Sequence, residues 1–260
     1  MTHNNVAVSR SADTTSLGSA TLGCVGMDWW EDFFDENYVE VWGAAGSFDN
    51  TAEQVDAIEQ ILGLPPGSQI LDVACGFGRI AGPLHERGYD VTGLDYSSTQ
   101  LGLAQERYPG PQYVEGDMRE PPQGPFDAVL NIFSSFGYFE ERANDMAALA
   151  AWHAVLVPGG PLLMELMHRD RLANLFNPDA EPDEQGPIRE NGTTDWVTGV
   201  RTATAISGDV SKTFRVRLYT ATELVRELRS IGFTTVKVMG GLDPGAVFTP
   251  RTRLAIRAVK

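Results

Sequence analysis

The chain of 260 residues suits one large domain, or one domain with a modest insertion, and its 42% hydrophobic content excludes bulk disorder. A net charge of −15, from 35 acids against 20 bases, argues against nucleic acids and anionic membranes as partners, and no apolar run approaches the ~18 residues of a membrane span. Cys24 and Cys75, the only cysteines, exclude a disulfide framework and a four-cysteine zinc site, and point to a reducing, cytoplasmic setting.

Residues 1–26 are rich in Ser, Thr, Asn and Gly, show no hydrophobic periodicity, and lack the apolar core of a secretory signal. They read as a flexible tail, with Met27 as an alternative first residue. The segment 27–50 then brings Trp29, Trp30, Phe33, Phe34, Tyr38, Val41 and Trp42 at spacings of one, three and four, which suits helical turns with an aromatic face. A helix is expected over Thr51–Leu62, with Thr51 and Gln54 in a capping-box pattern and Gly63 as its stop.

From Gln69 strands and helices alternate. Strands are expected at Gln69–Val73, Asp90–Leu94, Gln112–Glu115, Phe126–Ile132 and Leu162–Met167. Helices are expected near Arg79–Arg87, Ser98–Arg107 and Glu141–Leu156. This order predicts a mostly parallel sheet with helices on both faces. The rhythm breaks over 169–218, where Pro178, Pro182 and Pro187 precede polar-alternating runs at Val200–Ile206 and Thr213–Leu218, split by Ser207-Gly208-Asp209. That segment reads as a small antiparallel insertion above the active end of the sheet. A helix at Thr222–Ser230 and strands at Thr234–Met239 and Leu254–Val259 complete the domain, taken as 51–260.

The stretch Ile70-Leu71-Asp72-Val73-Ala74-Cys75-Gly76-Phe77-Gly78-Arg79 sits at the first strand-to-helix turn. Glycines there let a ligand approach backbone N–H groups. Gly76 to Ala81 also satisfies the dinucleotide pattern G-x-G-x-x-A, with Asp95 about twenty residues on. Asp72 separates the readings. A carboxylate ending the first strand repels a pyrophosphate, whereas it suits a cofactor with a sulfonium and an α-ammonium. Asp95, followed by Tyr96, can accept from ribose hydroxyls. In Gly116-Asp117-Met118 the carboxylate can accept from an adenine amine while Met packs on the ring. Each acid taken singly also fits a plain turn or cap; the three together at successive strand ends do not.

On these residues the sequence resembles the class I S-adenosylmethionine-dependent methyltransferases over roughly 50–167 and 220–259, and bacterial amino-sugar and antibiotic-tailoring members in particular. Leu71–Gly78 corresponds to the first motif, Asp95 to the second, and Glu115–Met118 to the adenine segment. Asn131–Phe139 is similar to the segment after strand four, and Val157–Gly160 to the turn before strand five. Ala74 stands where many members carry a glycine. The resemblance implies a Rossmann-like seven-stranded sheet with its last strand inserted antiparallel. It also implies S-adenosyl-L-methionine as cofactor, S-adenosyl-L-homocysteine as product, and Asp72, Ala74, Gly76, Gly78, Asp95, Tyr96, Asp117, Met118 and Asn131 around it, without a metal.

Methyl transfer from a sulfonium needs alignment and dryness, and a base only where the nucleophile must lose a proton. His168, just past strand five, is the candidate base. Trp30, Phe34 and Tyr38 are expected to close over the cofactor and acceptor, with Phe136 and Tyr138 on the facing wall and Tyr38 reaching the acceptor. Acids crowded over 28–40 favour a cationic acceptor, hence nitrogen of a small molecule in natural-product or antibiotic biosynthesis. The alternatives are an O-methyltransferase using His168, then a protein-interaction module with a vestigial cofactor site, then an NAD-dependent reductase. A homo-oligomer is compatible with any of them.

Overall fold

The computed structural model describes residues 29–175 and 188–260; the expected tail over 1–26, Met27 and the three prolines at 178, 182 and 187 lie outside them. Two short helices, α1 (Trp29–Phe33) and α2 (Glu36–Ala44), come first. Then α3 (Thr51–Leu62), β1 (Gln69–Val73), α4 (Ala81–Glu86), β2 (Asp90–Asp95), α5 (Ser98–Arg107), β3 (Gln112–Glu115) and β4 (Ala128–Asn131) follow. The chain continues through α6 (Arg142–Val155), β5 (Pro161–Leu166), α7 (Arg169–Leu175), β6 (Arg189–Asp195), β7 (Val200–Ser207) and β8 (Val210–Arg217). It closes with α8 (Ala221–Ile231), β9 (Thr235–Gly240) and β10 (Leu254–Val259).

The main sheet has seven strands in the order β3-β2-β1-β4-β5-β10-β9, and β10 runs antiparallel to both its neighbours. The α/β architecture is therefore the expected Rossmann-like one. Alternation along β1 divides the core. Leu71 and Val73 join Leu149, Trp152, Leu224 and Leu228 on one face, while Ile70 joins Val55, Ile58 and Leu84 on the other. Each such aliphatic side chain, fully buried, contributes ~1.5–3 kcal/mol.

Two local expectations change. Thr51 and Gln54 form no capping box: Asn50 is the N-cap of α3, with no side-chain cap bond. Instead the Thr51 hydroxyl and the Gln54 carbonyl accept from the Arg79 guanidinium at 3.1 and 2.5 Å. Arg79 is 6% exposed, and a buried guanidinium outcompetes a helix end for those oxygens. The capping box occurs at α8, where Thr220 and Glu223 satisfy each other's backbone N–H groups and start the helix before Thr222.

Between β5 and α8 the chain builds a separate antiparallel sheet, β6-β7-β8. Gly208, at φ 55°, closes the β7–β8 turn. Helix α7 and strand β6 were not expected. The β6 sequence, Arg189 to Asp195, is polar and exposed at nearly every position, so it carries no alternating pattern. The three-stranded sheet docks onto the main domain through a close approach at Gly137. Its carbonyl accepts from Arg217 at 2.7 Å, and with φ at 91° a Cβ there would overlap the Arg217 backbone.

Candidate functional site

The carboxyl ends of β1, β2 and β4 open into a cleft whose empty space, open solvent included, is about 1050 Å³. Asp72 ends β1 facing this cleft, 2% exposed, with one carboxylate oxygen lacking any hydrogen-bond partner. Burial pushes its pKa up to about 7, against the pull of Arg79, and nearby Asp95 adds to the rise. Asp95 is better supported. Its oxygens accept from the Gly76 N–H at 2.7 Å and the Ser97 N–H at 2.9 Å. Burial still raises its pKa, and those backbone donors oppose the rise.

The turn between β1 and α4 holds Ala74 at φ 58°, Gly76 at φ 54° and Gly78 at φ 77°. A Cβ in the left-handed region costs roughly 1–2 kcal/mol, so Ala74 accepts strain that glycine would avoid. Ala74 and Gly76 line the cleft, whereas Gly78 faces away from it. A Cβ on Gly78 would sit 2.6 Å from the Tyr113 hydroxyl, so this glycine serves helix-to-strand packing.

Past the end of β3, Met118 lines the cleft and its backbone carbonyl accepts from the Trp152 indole at 2.8 Å. Asp117 is held by Arg119, whose Nε and Nη2 both reach its carboxylate. Burial pushes Asp117 up, but the Arg119 bonds outweigh it and leave its pKa lowered. Tyr96 stands at the rim, 48% exposed, with its ring edge-on to Trp30 at 6.3 Å. Asn131 does not reach the cleft. It is fully buried and its amide donates to the Val73 and Ser135 carbonyls, bracing β4 against β1 and the following turn.

A second cavity, of about 1040 Å³, lies between α1, α2, the end of β5 and the small sheet. Phe34, Tyr38, Phe133 and Tyr138 line both spaces and form the wall between them. Of the expected aromatic residues, Trp30 lines the cofactor cleft alone. Phe136 borders only the second cavity, and its ring also packs on Trp152 and Tyr219 at 5.7 and 5.5 Å in the core. Tyr38 stacks on Trp42 at 4.9 Å. Burial drives its phenol pKa far up, so the hydroxyl keeps its proton.

His168 is placed elsewhere. It is fully buried, lines neither cavity, and packs against Phe248 at 4.9 Å. Nε2 lies 3.0 Å from the Thr252 carbonyl and Nδ1 3.4 Å from the Arg171 backbone N–H. Burial lowers its pKa despite the Thr252 bond. A side chain two residues past a strand end need not face the ligand. The turn into α7 rotates this one inward.

Of the acids of the aromatic segment, Asp32, Asp35, Glu36 and Glu40 fall outside both spaces. Asp32, Glu36 and Glu40 are exposed, and Asp35 caps α2 while pairing with Lys212 of β8 at 2.7 Å. Solvation and capping account for them, so they supply no field for a cationic acceptor.

Several site residues were not anticipated. Arg79 lines the cleft beside Asp72, with Phe133 5.2 Å below its guanidinium. Gln100 is 1% exposed and its carbonyl oxygen is buried without a partner. Its amide donates to the Asp35 carbonyl at 2.8 Å, and the Ser97 hydroxyl donates to the Phe34 carbonyl at 2.8 Å, which ties the α1–α2 segment to the strand end bearing Asp95. Phe133 and Ser134 have consecutive φ values of 67° and 66°. Glu165, 2% exposed, accepts from the Phe133 N–H at 3.2 Å and pairs with Arg253, which also donates to the Ser134 hydroxyl at 2.7 Å. A Ser-Ser after a hydrophobic strand could have signalled a turn; nothing in the sequence links Glu165 to Arg253.

A cleft with a buried carboxylate, one of whose oxygens has no hydrogen-bond partner, fits a ligand bringing a cation and not one bringing phosphates at that point. The matching family model, described as a methyltransferase domain, spans residues 70–160. The chain is 32% identical over 200 residues to a malonyl-[acyl-carrier protein] O-methyltransferase of Serratia marcescens, covering 75% of this chain and 71% of that one. It is 35% identical over 119 residues to dTDP-3-amino-3,4,6-trideoxy-alpha-D-glucopyranose N,N-dimethyltransferase of Streptomyces venezuelae, covering 45% and 50%. The chain thus spans about half the length of several relatives it matches. Among solved structures, an amino pentose methyltransferase of Micromonospora echinaspora with S-adenosylmethionine bound shares the fold. Its TM-score is 0.55 at 23% identity, covering 84% of this chain and 96% of that one.

Fold and cleft thus define a class I methyltransferase architecture. The chain belongs to the S-adenosylmethionine-dependent methyltransferases, and S-adenosyl-L-methionine is its cofactor. No helix among the described residues is long and apolar enough to cross a membrane.

Proposed function

We propose that this enzyme methylates a nitrogen of a small molecule held in the second cavity, with the methyl group delivered across the wall of Phe34, Tyr38, Phe133 and Tyr138. In this reading Asp72 holds the cofactor's α-ammonium, Arg79 its carboxylate, Asp95 the ribose hydroxyls, and Met118 the adenine face. When bound, S-adenosylmethionine supplies a methyl group already activated for in-line displacement. The chain's own task is then to align the acceptor and exclude water. Segment 29–50 serves as the cover.

One observation carries the choice of nitrogen. Among the described residues no histidine lines the second cavity, and the carboxylate there, Glu190, is already paired with Arg201. A hydroxyl acceptor needs a base within hydrogen-bond reach, whereas an amine arriving neutral presents a lone pair without one. Tyr38, kept protonated, can orient that amine but not deprotonate a hydroxyl. The amino-sugar N,N-dimethyltransferases among the relatives support the same atom. Product analysis of a matched amine and alcohol with the labelled cofactor tests it. Methyl on nitrogen alone is expected, and methyl on oxygen at comparable turnover overturns it.

A further inference from the structure

Among the described residues, the second cavity is lined by nine aromatic side chains and three charged residues, Glu190, Arg201 and Arg253. Arg201 pairs with Glu190 at 3.1 Å. Arg253 pairs with Glu165, Nη2 lying 2.9 Å from Oε2, and Glu165 is buried directly behind the wall. Each guanidinium therefore meets its own carboxylate before any acceptor enters. An anionic acceptor must displace one of those carboxylates or lie buried without a counter-charge, and both cost affinity. Among the described residues, a cationic body meets two guanidiniums that are already neutralised and no unpaired acid to hold it. Phe133, whose face would otherwise attract a cation, already has Arg79 at 5.2 Å and Arg253 at 5.8 Å.

From this charge closure we infer that the body of the acceptor is uncharged and largely aromatic: an arylamine or an amine-bearing ring system, not a nucleotide-linked sugar or an acidic acyl chain. An aromatic amine is neutral at pH 7, which gives the lone pair that the reaction needs. Flat rings also match a wall of Trp29, Phe33, Trp42, Phe136 and Phe214. The inference rests on the second cavity being the acceptor site, and it adds the chemistry of the body to the identity of the reacting atom.

A matched pair of fluorescent probes tests it on the full chain saturated with S-adenosylhomocysteine. N-phenyl-1-naphthylamine and 8-anilino-1-naphthalenesulfonate share both ring systems and differ by one sulfonate. The neutral probe should bind at least about tenfold more tightly, and thymidine diphosphate should not displace it. Phe214→Ala should weaken the neutral probe roughly two- to tenfold while S-adenosylhomocysteine binding is unchanged, because Phe214 borders only the second cavity. If that variant does not fold, Glu190→Gln frees Arg201 at the surface of the cavity and should improve the sulfonate several-fold without improving the neutral probe. Equal or tighter binding of the sulfonate by the unaltered enzyme, or displacement by thymidine diphosphate, overturns the inference. The failure of the nitrogen reading looks different: methyl appears on oxygen while the probe ranking stands.

Discussion

In the cofactor cleft one carboxylate oxygen of buried Asp72 has no partner, whereas in the cavity beneath α1 and β8 each described charged lining residue already has one. The two spaces share a wall of four rings and differ in what they wait for. The cleft leaves an electrostatic debt that a cationic ligand settles. The cavity is neutral and selects by shape and apolar area. Their origins in the chain differ as well. The cleft is built mainly from consecutive strand–turn–helix units over 69–118, closed by α1, α2 and the β4 end, and the cavity from α1, α2, α7, the β4 and β5 ends, β6, β7, β8 and Arg253.

Breaking the cavity's closure should have the largest effect, and it should be on stability. Arg253→Met leaves Glu165 buried and unpaired beside the strained Phe133–Ser134 turn, which should cost about 3–5 kcal/mol in denaturant unfolding. Double replacement of Glu165 and Arg253 by Met should recover much of that loss. A single variant of wild-type stability would show that the pair does not hold the wall.

His168→Ala comes next. Removing a fully buried ring and the partner of the Thr252 carbonyl should cost roughly 2–4 kcal/mol of stability. Turnover per folded molecule should stay within about threefold of wild type, against the ~10²–10⁴-fold loss expected of a general base. A loss of that size, with intact folding, would return His168 to the mechanism.

In the cleft, Asp95→Ala should weaken S-adenosylhomocysteine by ~1.5–3 kcal/mol, or tenfold to over a hundredfold, by calorimetry. The same substitution should leave the neutral cavity probe little changed. Parallel losses at both sites would mean that the two spaces are not separable.

Asp72 gives the pH dependence. Its folded pKa of about 7 lies above the ordinary 3.8. In the ligand-free protein its contribution to stability is therefore fully present below the ordinary value and is lost as pH rises through about 7. Cofactor binding runs the other way, because the ammonium needs the carboxylate, so affinity should fall as pH drops below about 7. Asp72→Asn should flatten both profiles. An unaltered pH dependence of binding in that variant would move the titration to another group.

The smallest effect is expected at the tie between cover and insertion. Lys212→Met removes the pair with Asp35 and the bond to the Asp32 carbonyl, both at the junction of α1 and α2. A rise of about two- to fivefold in acceptor KM, with cofactor affinity near wild type, is expected from steady-state kinetics, since Asp35 keeps its cap bonds to the Asn37 and Tyr38 N–H groups.

Segment by segment, the sequence was most legible where local pattern and function coincide. The strand ending in Asp72 is a short apolar run followed by turn glycines, and Asp95 and Asp117 fall at the ends of the next two short strands, so period, punctuation and acid placement agree. That agreement determined the sheet, the cofactor and the charged half of the cleft. Where a residue's partner lies far along the chain, the local reading failed. Thr51 and Gln54 carry a cap pattern but serve Arg79, 28 and 25 residues away, and His168 follows a strand end but turns into the core. The polar strand β6 has no apolar alternation, because both its faces are largely exposed.

The sequence by itself determined the order of strands and helices outside 169–195, the cleft acids and the aromatic character of 29–42, because each is written within a few residues. Only the tertiary structure decided which rings face the cofactor, which face the second cavity, and which cations are already neutralised there. Glu165 and Arg253 meet across 88 residues, and Asp35 and Lys212 are no nearer in sequence. Such pairings depend on how β10 inserts beside β5 and how the small sheet docks, and no local periodicity encodes either.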